Sequence, residues 1–301
     1  MSTPRSLRLP RRVRPVAVET SRGTFAALVA ESAIGVNERQ PALLVPGYTG
    51  SKEDFLPVLE SLAAAGRAVM AIDMRGQYQS PAAANAAGYQ LDELASDLIA
   101  LAVAIAADTG GTGGTHLLGH SFGGLIARNA VLAEPAAFLS LTLLGSGPGT
   151  IGGARAQILR DLLAFLQPVD GDTDALREQI ILLWDAQVEP QARADGTPPD
   201  IIAFLRDRAL RSCPLGLTEM ARHLLDFPDR TAELAAGQLP ILVSYGENDD
   251  AWPPDVQDLM AKRLGADRVC IPGAAHSPAV EAPETTAAML TSFWNQAEPP
   301  W

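Results

Sequence analysis

The sequence predicts an α/β fold: a mostly parallel central sheet flanked by helices, with a purely helical insertion late in the chain. Three observations carry this. Fully apolar runs of strand length alternate with helix-like segments from about residue 15 to residue 145. From about 150 to 235 the apolar spacing is helical throughout, and strand-like runs then resume. One strand-to-helix junction reads Gly119-His120-Ser121-Phe122-Gly123-Gly124. Strands that are apolar along their whole length and separated by helices are what a parallel sheet covered on both faces requires.

In chain order, residues 15–20 and 24–31 read as two strands around a turn at Arg22-Gly23. Residues 42–45 form an apolar strand that ends at Pro46-Gly47, and a helix over 52–65 follows, stopped by Gly66. Residues 68–72 are the next buried strand, ending at Asp73. A long helix spans 91–108, with Gly110-Gly111 as its stop signal. The glycine run 110–114 follows a helix and precedes a strand, the reverse of what phosphate binding at a helix N-terminus needs, so it reads as a connector. His116-Leu117-Leu118 leads into the junction, a helix follows over 125–132, and 138–144 is a further strand ending at Gly145-Ser146-Gly147. The insertion contains helices over 158–167, 175–186, 201–210 and 217–226, separated by turns at 168–171 and 196–199. Residues 240–245 and 268–271 are the last strands, and 283–295 is the last helix.

The domain reading is a mobile basic tail over 1–14, a first core part over 15–149, the helical insertion over 150–235 and a second core part over 236–301. A chain of 301 residues, 47% hydrophobic, can bury one large core. A net charge of −12 argues against a nucleic-acid surface. No apolar run is long enough to cross a membrane. The arginines at 5, 8, 11, 12 and 14 are not followed by the apolar segment of a secretory signal. Two cysteines make no disulfide framework, and Cys270 reads as an inert thiol in a buried strand. A cytoplasmic protein is expected, with a small molecule as partner, no nucleic acid and no membrane; a homodimer stays open.

Gly-x-Ser-x-Gly between a strand and a helix is the context of a nucleophile elbow, in which a strained turn exposes the serine hydroxyl at the sheet edge. A Cβ at Gly119 or Gly123 would collide with the neighbouring strand or helix. A serine hydroxyl needs an adjacent base, and the base an orienting acid. Of the four histidines, His116 lies in the strand before the elbow, His120 should point away into packing, and His223 reads as a solvated helix residue of the insertion. His276 sits in a loop of small residues after the last strand, where α/β sheets gather their sites. After the strand at 240–245, Glu247, Asp249 and Asp250 compete as the acid, and Asp249 is favoured.

With the elbow at Ser121, Gly246-x-x-Asp249-x-x-x-Pro253, Gly273-x-x-His276-Ser277-Pro278 and Asp73-x-Arg75-Gly76, the chain resembles the α/β-hydrolase family along nearly its full length. The family usually has His-Gly where this chain has Pro46-Gly47; the glycine is kept and the histidine is not. The resemblance implies catalytic Ser121, Asp249 and His276, and an oxyanion hole made by the main-chain N–H groups of Tyr48 and Phe122. It implies that the insertion is a cap over the site, with Tyr48, Phe122, Ser146, Trp184 and Trp252 as substrate-binding candidates. The implied activity is hydrolysis of an ester, thioester or lactone of a small apolar substrate through an acyl-enzyme, with no metal or organic cofactor. Serine at 121, where epoxide hydrolases and haloalkane dehalogenases of this fold use aspartate, sets those reactions aside. The same triad also serves C–C bond hydrolysis, acyl transfer, peroxide chemistry or aminopeptidase activity; a low-turnover ligand-binding protein is the rival from another class.

Overall fold

A computed structural model describes residues 2–32, 39–109, 114–166 and 173–298. Among the described residues eight strands form one sheet: β1 (Val13–Thr20), β2 (Gly23–Ala30), β3 (Ala42–Val45), β4 (Val69–Ile72), β5 (Thr115–His120), β6 (Phe138–Leu144), β7 (Ile241–Gly246) and β8 (Asp267–Ile271). Their order is β1-β2-β4-β3-β5-β6-β7-β8. β1 and β2 pair antiparallel, as do β2 and β4; every pair from β4 to β8 is parallel. The chain leaves β3 for β4 on one side and returns to β5 on the other. The loops after β3 and β5 therefore flank a topological switch point, where open α/β sheets leave a crevice for ligands.

The helices are α1 (Leu56–Ala64), α2 (Leu91–Thr109), α3 (Phe122–Ala133), α4 (Gly153–Phe165), α5 (Thr173–Leu183), α6 (Glu189–Ala194), α7 (Pro199–Arg211), α8 (Pro214–Asp226), α9 (Thr231–Ala235), α10 (Pro254–Leu264), α11 (Pro278–Glu281) and α12 (Pro283–Ala297). Alternate side chains of each central strand face opposite layers. Leu43, Val45, Leu117, Leu141 and Leu143 join the layer of α2 and α3. Ala42, Leu44, Leu118 and Leu144 join the layer of α1 and α12. α4 to α8 form the insertion between β6 and β7, and a π-helical turn (Trp184–Val188) joins α5 to α6. Among the described residues, no helix is long and apolar enough to cross a membrane.

Several expectations are corrected. Residues 2–12 do not hang free. Ser2 is buried, its hydroxyl lies 2.8 Å from that of Ser277, and its carbonyl accepts from the Arg208 guanidinium at 2.8 Å. Leu7 packs on the insertion cluster of Trp184, Ile201 and Leu205. Cys270 is exposed, because β8 is an edge strand and its alternate residues face outward. The helix expected over 52–65 is split into a 3-10 turn (Lys52–Phe55) and α1. α10 was not among the expected helices: its sequence is mostly polar, with Val256, Met260 and Leu264 as its apolar face, and the parallel pair β7–β8 requires such a crossover. The glycine connector at 110–113 and the turn expected at 168–171 lie outside the described residues.

One buried network closes the α12 end of the fold. His116 donates through Nε2 to Glu298 Oε1 at 3.1 Å, accepts at Nδ1 from the Ser140 hydroxyl at 2.8 Å, and stacks on Trp294. Arg67, fully buried, donates to the same Glu298 oxygen at 2.9 Å. Burial alone would push the Glu298 carboxyl up, but the His116 and Arg67 partners win and hold it below the usual carboxylate range. Removing one partner of a buried charge network leaves the others uncompensated. Glu298→Ala is therefore expected to cost about 3 kcal/mol or more, read as a lowered urea midpoint at unchanged slope. A shift of under about 0.5 kcal/mol, the size of an ordinary surface change, would contradict this account.

Candidate active site

The loop after β3 and the turn after β5 meet with no room for side chains. A Cβ on Gly123 would sit 2.4 Å from the Pro46 carbonyl oxygen and 2.7 Å from that of Val45. A Cβ on Gly119 would sit 2.4 Å from the Gly123 carbonyl. A Cβ on Gly47 would come within 3.0 Å of the Ser121 Cβ. Both glycines of the elbow are thus required, as the motif implies, the second by contact with β3 and its loop. Ser121 adopts φ 54°, ψ −120°, a conformation that L residues rarely hold and that costs on the order of 1–3 kcal/mol. The surrounding structure sustains it: the Ser121 N–H donates to the Leu144 carbonyl at 2.9 Å, and α3 begins at the next residue.

Ser121, His276 and Asp249 meet although 155 residues separate the serine from the histidine. The Ser121 hydroxyl lies 3.0 Å from His276 Nε2, placed to donate to it. His276 Nδ1 lies 2.9 Å from Asp249 Oδ1. Asp249 is buried, and its two oxygens are held separately. Oδ1 also accepts the Ala251 N–H at 2.9 Å, and Oδ2 accepts the Gln257 side-chain amide at 3.0 Å. Gln257 is anchored in turn on the Trp252 carbonyl at 2.6 Å. The two competing acids have other partners. Asp250 is exposed and pairs with Arg155 of α4 at 2.6 Å; Glu247 accepts the Gly273 N–H.

His120 does more than pack. Its Nε2–H donates to the His276 carbonyl at 2.7 Å, and the two rings lie 5.1 Å apart. Burial, reinforced by the neighbouring His276, pushes His120 down to about 3, so the ring is neutral. His223 is half-buried rather than solvated and donates to the Tyr89 carbonyl at 3.0 Å, tying α8 to the core. Gln77 fixes the β3 loop by donating to the Gly47 carbonyl at 2.9 Å.

A cavity of about 450 Å³ opens over Ser121 and His276. Tyr48, Thr49 and Ser2 wall it from the core side, and Ile151, Ile158 and Leu162 from the insertion. Burial pushes the Tyr48 phenol up, so it stays neutral. Of the expected substrate-binding residues, Tyr48 lines this cavity. Phe122 is fully buried, its ring in the core among the α2–α3 layer; its N–H, in the first helical turn, has no acceptor within the helix. Ser146 is buried beneath α3, where a Cβ on Gly124 would meet its Oγ at 2.5 Å. Trp252 is buried behind His276, ring centroids 6.4 Å apart, with its indole N–H on the Gly149 carbonyl. Trp184 lines a second cavity instead. Ser146 and Trp252 follow the strand ends in sequence, but their side chains pack beneath the loops. Sequence reasoning missed Ser2, His120 and Gln257; their signal is spatial, a polar side chain arriving from a distant segment.

A serine hydroxyl on an imidazole that is oriented by a buried carboxylate has the parts for nucleophilic acyl transfer. A family model described as "Alpha/beta hydrolase family" matches residues 42–289. A Variovorax paradoxus (strain S110) protein, provisionally named carbamate hydrolase RutD, is 38% identical over 112 residues, 37% of this chain and 40% of that protein. The chain thus spans two fifths of the length of that relative. Rhodomycin D methylesterase DauP of Streptomyces sp. (strain C5) is 27% identical over 277 residues, 81% of this chain and 90% of the relative. A thermophilic esterase from Thermogutta terrifontis shares the fold, with a TM-score of 0.70 at 23% identity over 95% of this chain and 100% of that one.

The neutral state of His120 gives a pH dependence. The ring is held well below an ordinary histidine, so between about pH 6.5 and pH 3 the unfolded chain binds a proton that the folded chain does not. The contribution of this residue to stability is therefore flat above about pH 7 and is lost on acidification, by up to about 1.4 kcal/mol per pH unit. Urea midpoints at pH 7.5, 6 and 5 are expected to fall less steeply in His120→Gln than in the parent; parallel slopes would refute the assignment.

Proposed function

From the chain's membership of the alpha/beta hydrolase family, we propose that it is a serine hydrolase cleaving carboxylic esters, thioesters or lactones through an acyl-enzyme. The observation that carries this reading is the hydrogen-bonded chain Ser121–His276–Asp249 at the floor of a walled cavity, with the serine in a strained elbow. The methylesterase relative supports an ester as the bond attacked.

His276 Nε2 takes the hydroxyl proton as Ser121 Oγ adds to the carbonyl carbon. Asp249 keeps the Nδ1 proton in place and stabilises the imidazolium that forms. The carbonyl oxygen becomes an oxyanion, held by the N–H groups of Tyr48 and Phe122. Both donors belong to main chain fixed by the glycine contacts, so they are preorganised, and one such donor is worth about 3 kcal/mol in the transition state. Collapse of the intermediate breaks the ester bond, and the leaving oxygen departs with the proton from His276. Water then adds to the acyl-serine with His276 as base, and a second collapse frees the acid and restores Ser121. The sequence needs protein groups and water alone. In this reading the insertion is a cap: Ile151, Ile158 and Leu162 close the cavity above the serine and limit water around the developing charge.

A fluorophosphonate probe is expected to label Ser121, located by mass spectrometry, and Ser121→Ala to lose both the label and p-nitrophenyl acetate hydrolysis by about 10⁴-fold or more. Asp249→Asn is expected to lower kcat by about 10⁴-fold, whereas Asp250→Asn falls far less, because Asp250 is exposed and paired with Arg155. Absence of labelling on folded protein, or equal losses at 249 and 250, would remove the assignment.

A further inference from the structure

The cavity over Ser121 is not the largest space in the molecule. A second chamber of about 750 Å³ lies among the helices of the insertion, between α4, α5, the π-helical turn, α7 and α8. The two chambers share four walls: Tyr48, Thr49, Ile158 and Leu162. Tyr48 and Thr49 belong to the loop that, in the proposed mechanism, holds the oxyanion. The second chamber therefore opens beside the reacting carbonyl.

The chambers differ in chemistry. The first has Ser2, Asp54, Arg155 and Asp250 in its walls as well as the reacting groups. The second is lined mainly by aliphatic and aromatic side chains, among them Leu166, Ile180, Leu183, Trp184 and Leu217. Among the described residues the buried cation in its walls is Arg208, whose charge is balanced by Asp54 at 2.8 Å and whose second arm takes the Ser2 carbonyl at 2.8 Å, leaving its Nε–H without a partner. Asp161 is exposed to solvent. Three large apolar residues that the fold leaves exposed, Ile158, Phe165 and Leu182, are also among the chamber walls. An apolar space of several hundred Å³ with an apolar lip suits a ligand segment that carries no charge.

We propose that the second chamber receives a long apolar arm of the substrate, so that the enzyme prefers esters carrying a medium- to long-chain or comparably bulky apolar acyl or alcohol part over short-chain esters. This rests on the hydrolase reading above. The carbonyl sits over Ser121, the polar remainder of the ester stays in the first chamber, and the arm passes between Tyr48 and Leu162 into the second. Each methylene withdrawn from water is worth about fourfold in binding, so the preference grows with chain length until the chamber is full.

The test uses the full chain and two ester series: p-nitrophenyl acetate to dodecanoate, which lengthens the acyl part, and acetates of ethanol to decanol, which lengthens the alcohol. In one of them kcat/KM is expected to rise at least about tenfold from the shortest member to the eight- to ten-carbon members. Leu183→Trp and Ala209→Trp fill the chamber from two different walls. In both, the ratio of long-chain to short-chain kcat/KM is expected to fall at least about tenfold, with thermal melts showing which variants are folded. If one variant fails to fold, the other still reads the ratio, and the chain-length profile of the parent stands independently. A flat or falling profile in both series, with Ser121 labelled and acetate ester hydrolysed, overturns the chamber assignment and leaves the hydrolase reading intact. A rising profile that neither filled variant alters overturns it too. No hydrolysis and no labelling would overturn both.

Discussion

No side chain fits between the start of α3 and the end of β3. The Cβ that any residue but glycine would place at 123 falls inside contact distance of two backbone carbonyls, at Val45 and Pro46. That main-chain approach lets the loop after β3 and the turn after β5 share one edge of the sheet. It holds Ser121 at positive φ against its own preference, because α3 packs on one side and β6 accepts the Ser121 N–H on the other. The site is therefore set mainly by backbone geometry, and the side chains that complete it are brought to a position already defined.

His276 illustrates how a loop residue is held as firmly as one on a strand. Its ring is bonded at both nitrogens, to Ser121 and to Asp249, and its carbonyl accepts from the neutral ring of His120. Asp249 is fixed by the Ala251 N–H and by Gln257, which is itself held by the Trp252 carbonyl. Every bond in this set has a buried partner, and a buried polar group without its partner costs more than the bond contributes. The arrangement resists partial loosening for that reason. Burial also explains why His120, the immediate neighbour of the serine, is excluded as a base: a ring pushed down to about 3 and bonded through Nε2–H to a carbonyl serves position, not proton transfer.

The fold was legible because most central strands are apolar runs that stop at Gly, Pro or Asp; β5, which carries His116 and His120 and runs into Ser121, was legible by its elbow motif instead. Those signals are local; their alternation implies a parallel sheet covered on both faces, while the strand order, with β4 outside β3, is visible only in the structure. That the candidate residues Ser121, Asp249 and His276, each in a turn or loop after a strand, would meet was legible for a similar reason, since chain order after parallel strands becomes adjacency at one edge. Side-chain direction was not. Ser146 and Trp252 sit in loops that follow strands, as Tyr48 does, yet they face inward beneath α3 and behind His276 while Tyr48 faces the cavity. Cys270 misled because an apolar run says nothing of whether its strand lies at the edge. The first residues misled because a basic composition suggests solvent, whereas Ser2 and Leu7 are held by partners some 200 residues away.

Those partners explain how the insertion keeps its place over the sheet. Arg208 of α7 reaches across to Asp54, in the 3-10 turn that follows the Tyr48 loop, with both side chains buried. Burial pushes the Asp54 carboxyl up against the pull of Arg208, so the pair is formed at a desolvation cost and is not a strong source of stability. Its value is directional. Asp54 Oδ2, the oxygen not bonded to Arg208, accepts the Ser51 N–H, and a Cβ on Gly50 would meet that same oxygen at 2.5 Å, so the carboxylate fits one shape of the loop. The second arm of Arg208 takes the Ser2 carbonyl, whose residue walls the cavity and touches Ser277, next to His276. An apolar contact of the same area would hold α7 to the core as tightly but would let it slide. The guanidinium fork fixes the insertion, the loop and the chain start in one register, and with it the wall that the two chambers share.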